Sequence, residues 1–254
     1  MPAAGHPITL GISLKMYFDH ERTLSWCRGV AEIARAHDAV RSGRATLFAM
    51  PSFVSISDAR DILNGAAEVG AQDIAADDAG AFTGEVSGPQ LVQVGCRYAE
   101  IGHAERRTLF GETDDLVARK LAAAVRNGIT PVLCIGEEQQ LTPAAAAEAC
   151  AEQIASASAR LDDSATRMIV AYEPQWAIGQ AEPAPTDYVR EVAQRLRGTL
   201  DASGRESSSI LYGGSAGPGL ITEIADSVDG LFLGRFAHDP HALEQILDEV
   251  DALA

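Results

Sequence analysis

The sequence predicts an α/β protein whose one domain is a (β/α)8 barrel, and three observations carry that prediction. Short apolar runs recur at intervals of very roughly thirty residues, the length of one strand–helix unit in an eight-fold barrel. Eight such runs occur, at residues 8–14, 45–50, 71–76, 98–101, 129–135, 168–172, 210–212 and 231–233. Helix-like stretches lie between most of them, and alternation of strand and helix along a whole chain means a parallel sheet. No linker, low-complexity run or shift in composition divides the 254 residues into two units. The period alone would also suit a doubly wound sheet; the count of eight favours closure.

Met1-Pro2-Ala3-Ala4-Gly5-His6 lacks the charged and apolar regions of a secretory signal and reads as a flexible tail over residues 1–6. The first apolar run ends in Gly11-Ile12-Ser13-Leu14-Lys15-Met16, where alternation lets Ser13 and Lys15 point the same way. After the third run comes the glycine-bracketed segment Gly80-Ala81-Phe82-Thr83-Gly84-Glu85-Val86-Ser87, which reads as an ordered turn with one aromatic to bury. The fourth run leads into Gly102-His103-Ala104-Glu105-Arg106-Arg107 and then Phe110-Gly111-Glu112-Thr113. Thr142-Pro143 opens an alanine-rich helix to Ala159, with an N-cap followed by a first-turn proline. From Thr186, Val189, Val192, Leu196 and Leu200 keep helical spacing, and Gly204 marks the stop. Asp239-Pro240 begins the last helix, with Leu243, Ile246, Leu247 and Val250 on one face.

Charge and cysteine content exclude several classes. With 36 acidic residues against 20 basic ones and a formal net charge of −16, nucleic acid and anionic membranes are poor partners. An anionic substrate would have to be held by a local device, such as backbone amides or a single lysine. No apolar run is long enough to span a membrane. Cys27, Cys96, Cys134 and Cys150 fit neither zinc nor redox-pair spacing, Cys134 reading as a small core residue, so a reduced, cytoplasmic protein is expected.

The chemistry concentrates in Ala171-Tyr172-Glu173-Pro174-Gln175-Trp176-Ala177-Ile178-Gly179. Pro174 cannot continue a ladder, and Glu173 at the end of a doubly buried strand is poor structural material. Partial burial disfavours the charged form of a carboxylate and suits it to moving protons. Trp176-Ala177-Ile178-Gly179 is apolar where a loop should be polar, as a water-excluding lid would be. At the far end of the chain, Tyr212-Gly213-Gly214-Ser215 and Gly234-Arg235 follow the seventh and eighth runs, the common phosphate position of a barrel.

These segments resemble the triosephosphate isomerase family over almost the whole chain. The stretch at 171–179 is similar to the family's A-Y-E-P-x-W-A-I-G, residues 102–107 to G-H-S-E-R-R, and residues 13–16 to N-W-K-M. That family is a well-known case of barrel architecture and pKa tuning, and the roles that follow are carried by the resemblance. The resemblance implies a TIM barrel, a cofactor-independent aldose–ketose isomerase of a small sugar phosphate, and no metal. It implies Glu173 as the base, His103 as the neutral electrophile at a helix N-terminus, and Lys15 as the stabiliser of negative charge. Gly179, Ser215 and Gly234, with Ser13, Lys15 and Arg235, would bind substrate or phosphate, supported by Glu105, Glu112, Trp176, Gly213 and Gly214. The loop at 80–87 would pack into a second copy of the chain, giving a homodimer with Thr83 near the partner's site. Three positions depart from the family: Ser13 for asparagine, Ala104 for serine and Arg235 for the second glycine of the last strand. The complete catalytic set puts the triose phosphates first as substrate. Ser13 with Arg235 looks more like the erythrulose-phosphate branch, and a non-catalytic phosphometabolite-binding barrel is the reading from another class.

Overall fold

Eight strands pair in parallel and in chain order: β1 (Ile8–Ser13), β2 (Ala45–Met50), β3 (Glu68–Ala71), β4 (Tyr98–Ile101), β5 (Thr130–Ile135), β6 (Ile169–Tyr172), β7 (Ser209–Tyr212) and β8 (Gly230–Leu233). β8 pairs back onto β1, with Thr9 opposite Gly230 and Ile12 opposite Leu233, so the sheet closes. The structure is a computed structural model that describes residues 6–161 and 166–253. The tail expected at residues 1–6 therefore lies outside the described residues, apart from His6.

The helices are α1 (His20–Ala36), α2 (Asp38–Arg41), α3 (Ile56–Leu63), α4 (Gly88–Gln93), α5 (Ala104–Phe110), α6 (Asp114–Arg126), α7 (Pro143–Ser158), α8 (Thr186–Ala202), α9 (Ile221–Ile224) and α10 (Pro240–Ala252). Their starts follow from capping. Thr142 accepts from the Ala145 N–H ahead of Pro143, and Asp239 accepts from the His241 N–H ahead of Pro240. On α8 and α10 the buried residues are the ones with helical spacing in the sequence, from Val189 to Leu200 and from Leu243 to Val250. Among the described residues, no helix is long and apolar enough to cross a membrane.

Strand alternation divides the core in two. Leu10, Ile12, Leu47, Val170, Ile210 and Leu231 face outward and pack with the helices. Phe48, Met50, Val132, Cys134, Ile169, Ala171, Leu211 and Phe232 fill the barrel, with Tyr98 stacked on Phe48 at 4.3 Å between ring centroids. Gly11 is the residue that makes room for this filling, since a Cβ there would lie 2.3 Å from the Phe48 ring. Each such large side chain stabilises the fold by about 1.5–3 kcal/mol through burial.

The third strand is displaced from its expected place. It runs over Glu68–Ala71 rather than residues 71–76, paired through Gly70 with Tyr98 and Ala71 with Ala99. Ile74 and Ala75 are buried, but in the loop that follows, where the buried Asp73 binds Lys120. Burial of a loop mimicked a strand in the apolar pattern. The segment at 80–87 is a turn, closed by the Glu85 N–H on the Phe82 carbonyl, but Phe82 is 49% exposed rather than covered within the chain.

Candidate active site

The inward parity of each strand continues past its C-terminal end and selects what meets there. Ala171 is followed by Glu173, Tyr98 by Glu100, Leu211 by Gly213, Phe232 by Gly234, and Gly11 by Ser13. Glu173 is 8% exposed, and its N–H donates to the Ile135 carbonyl at 2.8 Å. Its side chain lies against Gly213, where a Cβ would stand 2.6 Å from Glu173 Cγ and 2.8 Å from Oε1. That position must lack a side chain for the carboxylate to sit where it does. Glu173 Oε2 is buried and, among the described residues, has no hydrogen-bond partner. A carboxylate oxygen left without a donor is costly for stability, and is placed to accept a proton from something else.

His103 caps α5, with Nδ1 accepting the Glu105 N–H at 3.1 Å. A ring nitrogen that accepts carries no proton, so this bond assigns a neutral imidazole with its hydrogen on Nε2. Nε2 lies 3.7 Å from Glu173 Oε2 and 4.0 Å from Glu100 Oε1. Lys15 is a non-glycine residue in the left-handed region, with φ 50°. Such a conformation costs roughly 1–3 kcal/mol and persists where surroundings impose it; here Gln72 Nε2 holds the Lys15 carbonyl at 2.9 Å. Lys15 Nζ donates to Glu105 Oε1 at 2.5 Å. Burial works against its charge, but the Glu105 bond and the carboxylates of Glu105, Glu173 and Glu100 outweigh it and hold its pKa above the ordinary lysine range.

Glu100 is not among the residues the sequence predicts for the site, yet it sits beneath these groups, 3% exposed. Burial first, and then the charge of Glu173, push its pKa up to about 7, against the lowering effects of the Ser13 bond and Lys15. Ser13 Oγ donates to Glu100 Oε2 at 2.8 Å, and Cys134 Sγ lies 4.0 Å from Oε1. The signal that could have found Glu100 is an acid at an inward position of a strand buried on both faces.

One cavity of about 280 Å³ gathers Ser13, Lys15, His103, Glu105, Glu173, Gly179, Gly213, Ser215, Gly234 and Arg235. Ile178 and Gly179, from the segment at 174–185, line it as well. Gly179 takes φ 76°, which a side chain would disfavour. Ser215, itself at φ 56°, donates to the Ala177 carbonyl at 2.8 Å and the Gln180 carbonyl at 3.1 Å. Tyr212 Oη accepts the Ala184 N–H at 3.0 Å, and Arg235 Nη2 donates to the Gly179 carbonyl at 3.2 Å. Trp176 is turned away from the cavity and donates to Glu137 Oε1 at 2.8 Å. Glu137, a second buried acid with no motif of its own to mark it, also accepts from Tyr188 Oη at 2.8 Å.

Besides Trp176, two of the expected supporting residues, Glu112 and Gly214, lie outside the cavity. Glu112 accepts from Arg106 Nε at 2.5 Å and from Lys120 Nζ, and both cations also reach Asp73, so the network braces the start of α5. Gly214 packs under the Tyr212 hydroxyl, where a Cβ would lie 2.5 Å from it. Ala104 and Glu173 both border a void of about 10 Å³. Among the described residues, no group of three or more His, Cys, Asp or Glu could hold a metal ion.

A closed (β/α)8 barrel with a carboxylate, a neutral imidazole and an ammonium converging at its C-terminal rim defines a barrel enzyme suited to proton transfer on a small molecule. A family model for triosephosphate isomerase matches residues 8–250. The chain belongs to the triosephosphate isomerase family and is an isomerase; the reading as a non-catalytic binding barrel gives way. It is 51% identical over 251 residues to an L-erythrulose-1-phosphate isomerase of Pectobacterium atrosepticum, covering 97% of each chain. It is 38% identical over 256 residues to an L-erythrulose-1-phosphate isomerase of Rhizobium etli, covering 96% of this chain and 93% of that one. A triosephosphate isomerase of Cutibacterium acnes is 36% identical over 241 residues, covering 90% and 92%.

Proposed function

We propose that this isomerase acts on L-erythrulose 1-phosphate, with Glu173 as the base, His103 and Lys15 as the oxyanion partners, and a phosphate cradle made by the amides of Gly179, Ser215, Gly234 and Arg235. The observation that carries the mechanism is the buried, unpartnered Glu173 Oε2 beside the His103 Nε2–H in the same cavity as Lys15. The names of the relatives at 51% and 38% identity favour the four-carbon substrate over the triose phosphates that the catalytic set had placed first. Ser13 supports the same choice. It is shorter than the family's asparagine and is bound back onto Glu100, which leaves space near Lys15 for a further hydroxymethyl group.

In L-erythrulose 1-phosphate the carbonyl is at C2, and the neighbouring carbon on the side away from the phosphate is C3. Glu173 takes the proton from C3, the C–H electron pair becomes the C2–C3 double bond, and the carbonyl pair moves to O2. His103 Nε2–H and Lys15 Nζ stabilise that oxygen. Return of the proton to C2, with the O3 proton passing by way of His103 to O2, places the carbonyl at C3 and a hydroxyl at C2. The product is another erythrulose phosphate, numbered from its other end, so the shift is ketose to ketose rather than the aldose–ketose exchange of the triose pair. Atoms and electrons balance with no external oxidant or reductant.

Two further statements belong to this reading. The chain acts as a homodimer, since Phe82 at 49%, Met16 at 93% and Val54 at 81% exposure are apolar residues that a second copy would cover. Four free, buried cysteines suit the cytoplasm. The test of function is incubation with L-erythrulose 1-phosphate in deuterated water. Deuterium should enter at C2 and C3 with the wild-type chain, and Glu173→Gln should lower the rate by roughly 10²–10⁴-fold, since an amide cannot accept the proton. Exchange at the wild-type rate in a folded Glu173→Gln chain would remove Glu173 from the mechanism.

A further inference from the structure

Arg235 follows Gly234 at the C-terminal end of β8 and lines the cavity together with Gly179, Ser215 and Gly234. One of its donors, Nη2, is spent on the Gly179 carbonyl at 3.2 Å. Among the described residues no carboxylate lies within ion-pair distance of it, although the chain carries 36 acids. The side chain is exposed, so its remaining N–H groups are free to meet a ligand. Lys15, the other cation on this wall, is already bonded to Glu105. Nearby His238 feels the result: burial first, and then Arg22, Arg235 and Lys15, hold its pKa below the ordinary histidine range. An acidic protein thus places at this end of its cavity a guanidinium that, among the described residues, has no carboxylate partner.

A guanidinium is a planar fork of five donors that suits a phosphate better than a neutral carbonyl, and bonds to an anion are about twice as strong as neutral ones. We propose that Arg235 is a direct ligand of the substrate phosphate, gripping the dianion with its free donors while Nη2 keeps its hold on Gly179. Anion binding and tethering of the segment at 174–185 are then two ends of one side chain. In the family pattern a glycine stands at this position, so the backbone amide is shared with the family and the side-chain contact belongs to this chain. The proposal rests on the reading of the cavity as a sugar-phosphate site.

The experiment is calorimetric titration of inorganic phosphate into the wild-type chain and Arg235→Gln, at constant ionic strength, below and above the second ionisation of phosphate. The wild type should prefer the dianion, and Arg235→Gln should weaken dianion binding by roughly tenfold or more while affecting the monoanion less. Equal dianion affinity in the two folded chains, or an equal loss for both ionisation states as a tether alone would give, overturns the proposal and leaves the sugar-phosphate reading in place. No phosphate binding by the wild type overturns that reading itself, and the proposal with it. Should Arg235→Gln fold poorly by circular dichroism, Arg235→Met, which keeps the stem and removes the fork, is measured in its place against the same outcomes.

Discussion

Glu100 gives the fold a pH dependence. Its pKa is raised to about 7 by burial, from the 4.5 of an ordinary glutamate, so the native state holds this proton more tightly than the unfolded chain. By linkage its contribution to stability is present below pH 4.5 and is lost as pH rises through about 7. Glu100→Gln removes that titration. Urea melts at points from pH 4.5 to 7.5 should show the wild-type stability falling with pH relative to the variant, by a few kcal/mol at most. Parallel pH profiles would contradict the assignment. At this scale the sequence was most legible where a residue violated its surroundings. Glu173 before a proline and His103 after a glycine stood out, whereas Glu100 hid within a four-residue strand whose other members are apolar or aromatic. Glu137 hid for a different reason: its partners Tyr172, Trp176 and Tyr188 lie 35 to 51 residues further along the chain and meet it only after folding.

The ends of β6 and β7 are a fitted pair. Glu173 extends β6 by inward parity, and Gly213 extends β7 to the same height with no side chain in the way. Gly213→Ala should therefore push the carboxylate aside, because its Cβ would stand 2.6 Å from Glu173 Cγ. A displacement of about 1 Å in such a group commonly costs on the order of 10²-fold in rate, so turnover should fall by roughly 10–100-fold while the barrel remains folded. An alanine variant with wild-type turnover would show that the carboxylate does not need this position. Seven of the eight strands lie where the apolar runs placed them, to within one residue or so, because each run is bounded by polar, glycine or proline residues. The third did not, since Ile74 and Ala75 continue the apolar pattern into a loop anchored by the buried Asp73–Lys120 pair. No local pattern carries that information, because Lys120 comes from α6.

At the scale of the molecule, closure, charge and assembly are linked. Closure in the order β1 to β8 brings Ser13 of the first strand to Glu100 of the fourth, and brings Gly234, just after the last, to the cavity that Ser13 lines. The loop at 80–87 leaves Phe82 half exposed, and a homodimer would cover it with Met16 and Val54. Light scattering at micromolar concentration should give twice the chain mass, and Phe82→Asp should shift it towards the monomer. A fully active wild-type monomer would contradict the dimer. The fold, and the residues that meet at the candidate site, were legible because they rest on period and on long motifs. The substrate was not, because the choice between three and four carbons turns on Ser13 and Arg235, two side chains whose partners are visible only in the folded site. On the proposed function, a four-carbon ketose phosphate is turned over at this rim. The most direct test of that function is kcat/KM for L-erythrulose 1-phosphate and for glyceraldehyde 3-phosphate, measured side by side in the wild type and in Ser13→Asn. The wild type should prefer the four-carbon substrate, by roughly the 10–200-fold that one carbon group commands in such pockets, and Ser13→Asn should move the ratio towards three carbons. A wild-type preference for glyceraldehyde 3-phosphate would contradict the account.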